Sequence, residues 1–395
     1  MKMEDNIILF KNKKNEKKYK KHKYLKQKRR IKKNNNKKYF NYILLFIIIL
    51  VSIFIPILFF IKRTRINKLD KKINIYNKLN LENIKNIFNY SMKYEEFDEN
   101  INERYKQLQN YFCENQNENL IQEYESRIIK GNVNFLGKKF DFFVYHKAKD
   151  AVSILIKRMH SWERAHTKKV LKALEYYSRK KNTENKDIYL LDIGSNIGWY
   201  TYYLGKYGYK ILSFEPNRLN NYILYKNYCL NKDVSVTLIN KGLDIEDNIC
   251  SVKTVSSNQG DGMIYCENRE KNLSDFNGEI FNGIELTKLS RYYKYLSDKN
   301  LAFIKMDVEG SEGKVIEGGK ELITKYHVPF IMTEFEEKLL NVHRTEALKF
   351  LQFFIDNGYK ISVIDFFSKK YKSPLEIVSN KRYNDLFIVY EKFLE

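Results

Sequence analysis

The chain has 395 residues, room for one large domain or two smaller ones, and a formal net charge of +23. That charge is concentrated: residues 1–72 hold 23 Lys+Arg and 4 Asp+Glu, leaving 48 basic against 44 acidic residues beyond them. The near-neutral remainder argues against a nucleic-acid footprint on the globular part. The four cysteines, with no C-x-x-C pair and no metal-ligand spacing to the six histidines, exclude a zinc-ribbon framework and read as unpaired thiols.

In chain order, residues 1–38 are a Lys- and Asn-rich arm that cannot bury enough apolar surface to order itself. Ile43 to Ile61 is an uncharged run of 19 residues, the length a bilayer core of ~30 Å requires, so a transmembrane helix is expected over 40–61. Seventeen Lys/Arg precede the run and six follow it closely, which favours a cytosolic N-terminus and a lumenal C-terminal domain. The sequons Asn89-Tyr90-Ser91 and Asn272-Leu273-Ser274 are compatible with that orientation. Residues 62–130 read as a helical stem, with apolar residues at helical spacing over Leu79–Phe88, and 131–395 as the catalytic domain. Within that domain two short strands surround Gly137, and Ser161 to Tyr177 reads as a helix.

From residue 188 strands and helices alternate. Strands are expected at Ile188–Ile193, Lys210–Phe214, Val234–Ile239, Ala302–Met306 and Pro329–Thr333, with helices at Trp199–Tyr207 and Leu219–Leu230. Such alternation predicts an α/β domain, a parallel sheet with helices on both faces. Tyr359–Phe366 and Leu386–Tyr390 form a closing strand pair.

The first strand runs into Asp192-Ile193-Gly194-Ser195-Asn196-Ile197-Gly198, a glycine-bearing turn before a helix, at the strand end where open parallel sheets bind ligands. Seventeen residues past Gly198, Glu215 ends the second strand, placed to accept both hydroxyl hydrogens of a ribose. The turn lacks the G-x-G-x-x-G of a pyrophosphate cradle. Asp192 instead suits a cationic amino-acid moiety, which points to S-adenosylmethionine.

These residues resemble those of class I methyltransferases and, more narrowly, of the FkbM family. The resemblance covers about 133–390. It is carried by Asp192–Gly198, by Phe214-Glu215-Pro216-Asn217, by Asn227 with Asn231, and by Asp307-Val308-Glu309-Gly310-Ser311-Glu312, with Ser161-Trp162-Glu163 as lead-in. Ser195 stands where the family usually has Ala, and Leu289-Ser290 where many members have Leu-Asp. The resemblance implies a Rossmann-like seven-stranded sheet with its last strand antiparallel. It also implies methyl transfer to a hydroxyl of a sugar, a lipid-linked glycan or a small metabolite. RNA methylation and an inactive membrane-tethered scaffold are the competing functions. Cofactor contacts are expected from Asp192, Gly194, Ser195, Asn196, Gly198, Glu215, Pro216 and, after the third strand, Gly242. Asp307, Glu309 and Lys305 are the expected catalytic group, with Glu334 in the same cleft. Asp307 or Glu309 orients the acceptor or takes its proton; alternatively both acids pair with Lys305 or cap the helix near Ser311. His327 and His343 have no ligand partners at useful spacing, so no metal site is expected.

Overall fold

The computed structural model describes residues 96–115, 121–146, 150–255, 258–266, 278–380 and 382–395. The basic arm, the apolar run at 40–61, Leu79–Phe88 and both sequons lie outside the described residues. No helix among the described residues is long and apolar enough to cross a membrane.

The first elements among the described residues are helices α1 (Glu99–Glu114) and α2 (Ile121–Glu125), strands β1 (Ile128–Phe135) and β2 (Lys138–Tyr145), and helices α3 (Ala151–Met159) and α4 (Arg164–Lys181). Alternation follows: β3 (Ile188–Ile193), α5 (Trp199–Gly205), β4 (Lys210–Phe214), α6 (Arg218–Leu230) and β5 (Val236–Ile239). Four strands come next, β6 (Gly242–Leu243), β7 (Asn248–Val255), β8 (Asn258–Tyr265) and β9 (Gly278–Thr287). The chain then forms α7 (Tyr293–Leu296), β10 (Asn300–Met306), α8 (Glu312–Gly318), β11 (Phe330–Glu334), α9 (Glu337–Val342) and α10 (Ala347–Asp356). It closes with β12 (Tyr359–Ser362), α11 (Pro374–Ser379), β13 (Asp385–Tyr390) and α12 (Glu391–Leu394).

Seven strands form one sheet in the order β12-β13-β11-β10-β3-β4-β5. β13 runs antiparallel to both neighbours, and the pairs from β11 through β5 are parallel. Strand order reverses between β3 and β10, so their carboxyl ends leave the crevice where open α/β sheets bind ligands. Both faces are covered, which is why these strands are near-continuous apolar runs. Leu190, Ile211, Phe303 and Phe330 pack on one face, and Leu191, Leu212, Ile304 and Ile331 on the other. Each such side chain contributes roughly 1.5–3 kcal/mol by leaving water.

Several elements tie onto this sheet through buried polar side chains. Gln109 of α1, fully buried, donates its Nε2 to the Val236 carbonyl at 3.1 Å and accepts from Leu238 N at 2.8 Å, pairing β5's free edge. Asn227 accepts from Phe143 N at 2.6 Å and donates to Phe143 O and Ile197 O, while Asn231 donates to Asp141 O. The paired asparagines therefore clamp the β1–β2 hairpin to α6.

Three readings are corrected. The helix expected from Ser161 starts at Arg164, because Glu163 has φ 38°, a left-handed conformation outside any helix. Residues 248–287 carried no expected element, yet they supply three strands of a second sheet, ordered β6-β9-β7-β8. The cysteines are paired, Cys113 with Cys229 and Cys250 with Cys266. Spacing could not reveal the first pair, 116 residues apart and joined because α1 lies along α6. The second continues the β7–β8 ladder one step beyond Ser251↔Tyr265.

Candidate functional site

Gly194, directly after β3, has φ +72° and donates its N–H to Phe214 O at 3.0 Å, as does Ser195. A Cβ on Gly194 would lie 1.8 Å from Asp307 O, so only glycine lets the turns after β3 and β10 approach this closely. Asn196, at φ +52°, donates its backbone N–H to Glu215 Oε2 at 2.8 Å, and Asn217 N donates to Oε1 at 2.8 Å. Glu215 is thus fixed at the mouth of β4 by one amide on each oxygen, each oxygen keeping a lone pair for a further donor. Burial pushes its carboxyl up to about 7, against the pull of those two amides. Asn217 also starts α6, its Oδ1 accepting from Leu219 N at 2.9 Å just past Pro216.

A crevice opens at this point, lined by Gly194, Asn196, Glu215, Pro216, Gly242 and, from β10's end, Asp307 and Glu309, among others. β8 covers it with Gly260, Asp261 and Gly262. A second cavity adjoins the first, sharing Asn196, Asp261, Asp307 and Glu309, and adds Trp162, Glu163, Ser195, Tyr200, Lys305 and Glu334.

Of the expected cofactor contacts, Gly194, Asn196, Glu215, Pro216 and Gly242 line the crevice, whereas Ser195 faces the second cavity. Asp192 and Gly198 line neither. Asp192 is 2% exposed, and its Oδ2 accepts from Thr201 Oγ1 at 2.5 Å. Gly198, at φ +94°, abuts Leu224 and Tyr202, so its bareness serves helix packing. Their place in the turn suggested ligand contact, but the seven-residue run Asp192–Gly198 has an inner side as well.

Lys305 is the electrostatic hub. Its ammonium donates to Gly194 O at 2.6 Å and stands 3.4 Å from Asp307 Oδ2 and 3.9 Å from Asp192 Oδ1. Burial alone would pull it down, but Asp307, Asp192 and Glu163 together hold it above the ordinary lysine range. Asp307 faces both cavities while keeping its pair with Lys305. The helix-capping alternative is not seen: α8 carries no side-chain cap hydrogen bond, and Glu312 Oε1 accepts from Val308 N in the preceding turn at 3.0 Å. Glu309, at φ +54°, is turned toward the cavities, and burial with Asp261, Asp307 and Glu312 pushes its carboxyl up to about 8. Burial, followed by Asp307 and Glu309, likewise drives Glu334 far up. Carboxylate oxygens of Asp307, Glu309 and Glu334 come within 4.8 Å of one another, an arrangement that spacing along the chain did not suggest. Sequence reasoning also missed Asp261 and Glu163. Asp261 lies on an unexpected strand, and Glu163 entered only as part of a lead-in; it accepts from Tyr200 Oη at 2.6 Å.

The donor set fits an adenosyl cofactor without phosphates. A buried carboxylate has spare lone pairs for ribose hydroxyls, a glycine cradle admits close approach, and Asn196 Oδ1 is buried without a hydrogen-bond partner among the described residues.

Residues 192–361 match the family model of the methyltransferase FkbM domain. No curated protein matches the chain. Among solved structures, the bifunctional kinase-methyltransferase WbdD is 8% identical with a TM-score of 0.33, the alignment covering 57% of this chain and 39% of WbdD. A SAM-dependent methyltransferase from Agrobacterium tumefaciens is 8% identical, TM-score 0.34, covering 66% and 70%. The T. thermophilus 16S rRNA N2 G1207 methyltransferase is 9% identical, TM-score 0.31, covering 67% and 50%. The chain spans about two fifths of the length of WbdD, and likenesses at these scores carry no functional weight. The crevice at the switch point lies within the matched stretch: residues 192–361 are similar to the methyltransferase FkbM domain, and they place this part of the chain among methyltransferases.

Proposed function

We propose that this domain transfers a methyl group from S-adenosylmethionine to a hydroxyl of a sugar, a glycolipid or a small metabolite. The observation that carries the reading is the convergence of Gly194, Asn196 and Glu215 on one crevice that opens into a second cavity past Asp307 and Glu309. S-adenosylmethionine held in the first cavity would supply an electrophilic methyl group, its sulfur taking back the electron pair of the broken S–CH3 bond as a neutral thioether. The chain's own residues do the rest. Glu215 and Asn196 hold the nucleoside end. Asp307 or Glu309 orients the acceptor hydroxyl and takes its proton as the new O–CH3 bond forms. Lys305 keeps Asp307 aimed and tethers the Gly194 carbonyl. The second cavity supports a polyol acceptor, since carboxylates accept hydroxyl hydrogens and Trp162 and Tyr200 offer apolar faces. Its excess of carboxylates opposes a phosphate-rich acceptor such as RNA.

We also place the domain in the lumen of the secretory pathway, anchored by the apolar run at 40–61 with its N-terminus in the cytosol. The flanking charge and both disulfides support this, because structural disulfides persist in oxidising compartments. Calorimetry of the full chain with S-adenosylhomocysteine tests the cofactor: saturable binding is expected, and no heat at saturating ligand refutes it. Mass spectrometry of glycans and lipids from cells with and without the protein tests the acceptor through a shift of ~14 daltons, the mass of an added CH2. A shift found in RNA instead would transfer the assignment.

A further inference from the structure

β8 is the edge strand of the second sheet, paired only with β7. Its other flank runs over the cofactor crevice. Asn220 Nδ2 donates to Gly260 O at 2.9 Å, and the Cys250–Cys266 disulfide holds the strand's far end. Between these ties sits Asp261, whose Oδ2 accepts from Asn258 Nδ2. Four residues line both cavities, Asn196, Asp261, Asp307 and Glu309. Whatever passes from one cavity to the other passes them, so a donor held in the first cavity with its acceptor in the second would present its sulfonium to this group.

The four are not equivalent as partners for a cation. Asn196 is neutral. Asp307 already faces the Lys305 ammonium at 3.4 Å. Glu309 is crowded by burial and by Asp261, Asp307 and Glu312, which push its carboxyl up to about 8. Asp261 has no cation within ion-pair distance among the described residues, and it faces Asp307 and Asp150 as well as the more distant Lys305. Burial and those two acids push it up to about 7, the response of a carboxyl lacking a counter-charge.

We infer that Asp261 is a specificity-determining residue of the cofactor site, its carboxylate pairing with the sulfonium so that the charged donor binds in preference to the spent, neutral thioether. The inference rests on the cofactor reading above. It deepens that reading by assigning product release to a strand outside the seven-stranded sheet. Donor and product differ by one methyl group and one positive charge, so a contact sensitive to charge tells them apart. Asp261→Asn keeps the shape and removes the charge.

The test is calorimetry on the full chain with three ligands: S-adenosylmethionine, S-adenosylhomocysteine and sinefungin, in which a protonated amine replaces the sulfonium methyl. Asp261→Asn should raise Kd for the two cationic ligands about five- to tenfold while leaving the thioether within about twofold. Asp261→Ala should change the three in the same pattern. Equal weakening of all three ligands, loss of all binding in both variants, or no change in any would overturn the inference. A wild-type chain that binds none of them would instead remove the cofactor reading beneath it.

Discussion

Replacing Glu215 with Gln probes the crevice with little change of volume. Each carboxylate oxygen now accepts one backbone amide, from Asn196 and Asn217, and Glu215 is 5% exposed. An amide side chain accepts at one end only, so its NH2 must face one of those N–H groups. Leaving that donor unpaired costs about 1–3 kcal/mol of folding stability. The same end can no longer accept from a ribose hydroxyl, and losing one such charge-assisted bond costs about 2 kcal/mol, roughly a 30-fold rise in Kd for S-adenosylhomocysteine. The pH dependence adds a second signature. With the carboxyl near 7, the accepting carboxylate becomes more populated between pH 6 and 8, so wild-type affinity should rise across that interval and the variant's should stay flat. Calorimetry at several pH values reads both effects. An unchanged Kd in a folded Glu215→Gln protein would refute the reasoning, because it would mean the carboxylate does not touch the ligand.

Other outcomes follow from the same geometry. Lys305→Met should destabilise the fold by about 3–5 kcal/mol, because Asp192 would be left buried without its counter-charge, and Asp192→Asn in the same chain should restore much of that; chemical denaturation measures both. Glu309, Asp261 and Glu312 hold protons in the folded state at pH values where the unfolded chain has lost them. Their stabilisation is complete below about pH 4 and fades as pH rises toward 8, so the thermal midpoint should be higher at pH 5.5 than at 8.0, on the order of 1 kcal/mol per carboxyl after solvent screening, and Glu309→Gln should flatten that slope. Replacing Cys113 and Cys229 together by Ser should lower stability by up to about 4–5 kcal/mol on the chain-entropy account of a loop this long, without altering cofactor affinity, since neither residue borders the crevice.

The sheet's inner strands were the most legible part of the chain. Ile188–Ile193 and Lys210–Phe214 match β3 and β4 residue for residue, because strands buried on both faces are uninterrupted apolar runs and each ends in a residue that turns the chain. β8 was not legible. Asn258 to Tyr265 carries two glycines and an aspartate, and it lies across the crevice through those small residues without contributing an alternating apolar face. The cavity's fourth shared wall and Asp261 were lost with it. Glu163 was obscured for a related reason: its left-handed backbone delays the start of α4 to Arg164, three residues after Ser161, and its bond from Tyr200 is invisible to helical periodicity. Asp192 and Gly198 show the reverse error. Their spacing from β3 was right, but which side of a turn a residue faces depends on what packs behind it, here Thr201 for one and Leu224 for the other.

The most direct measurement is a crystal structure of the full chain grown with S-adenosylhomocysteine. The account predicts ribose hydroxyls on the Glu215 carboxylate, the amino-acid end against the Gly194–Asn196 turn, and sulfur at the junction ringed by Asn196, Asp261, Asp307 and Glu309. Density for the ligand elsewhere, with this crevice empty at saturating concentration, would contradict it.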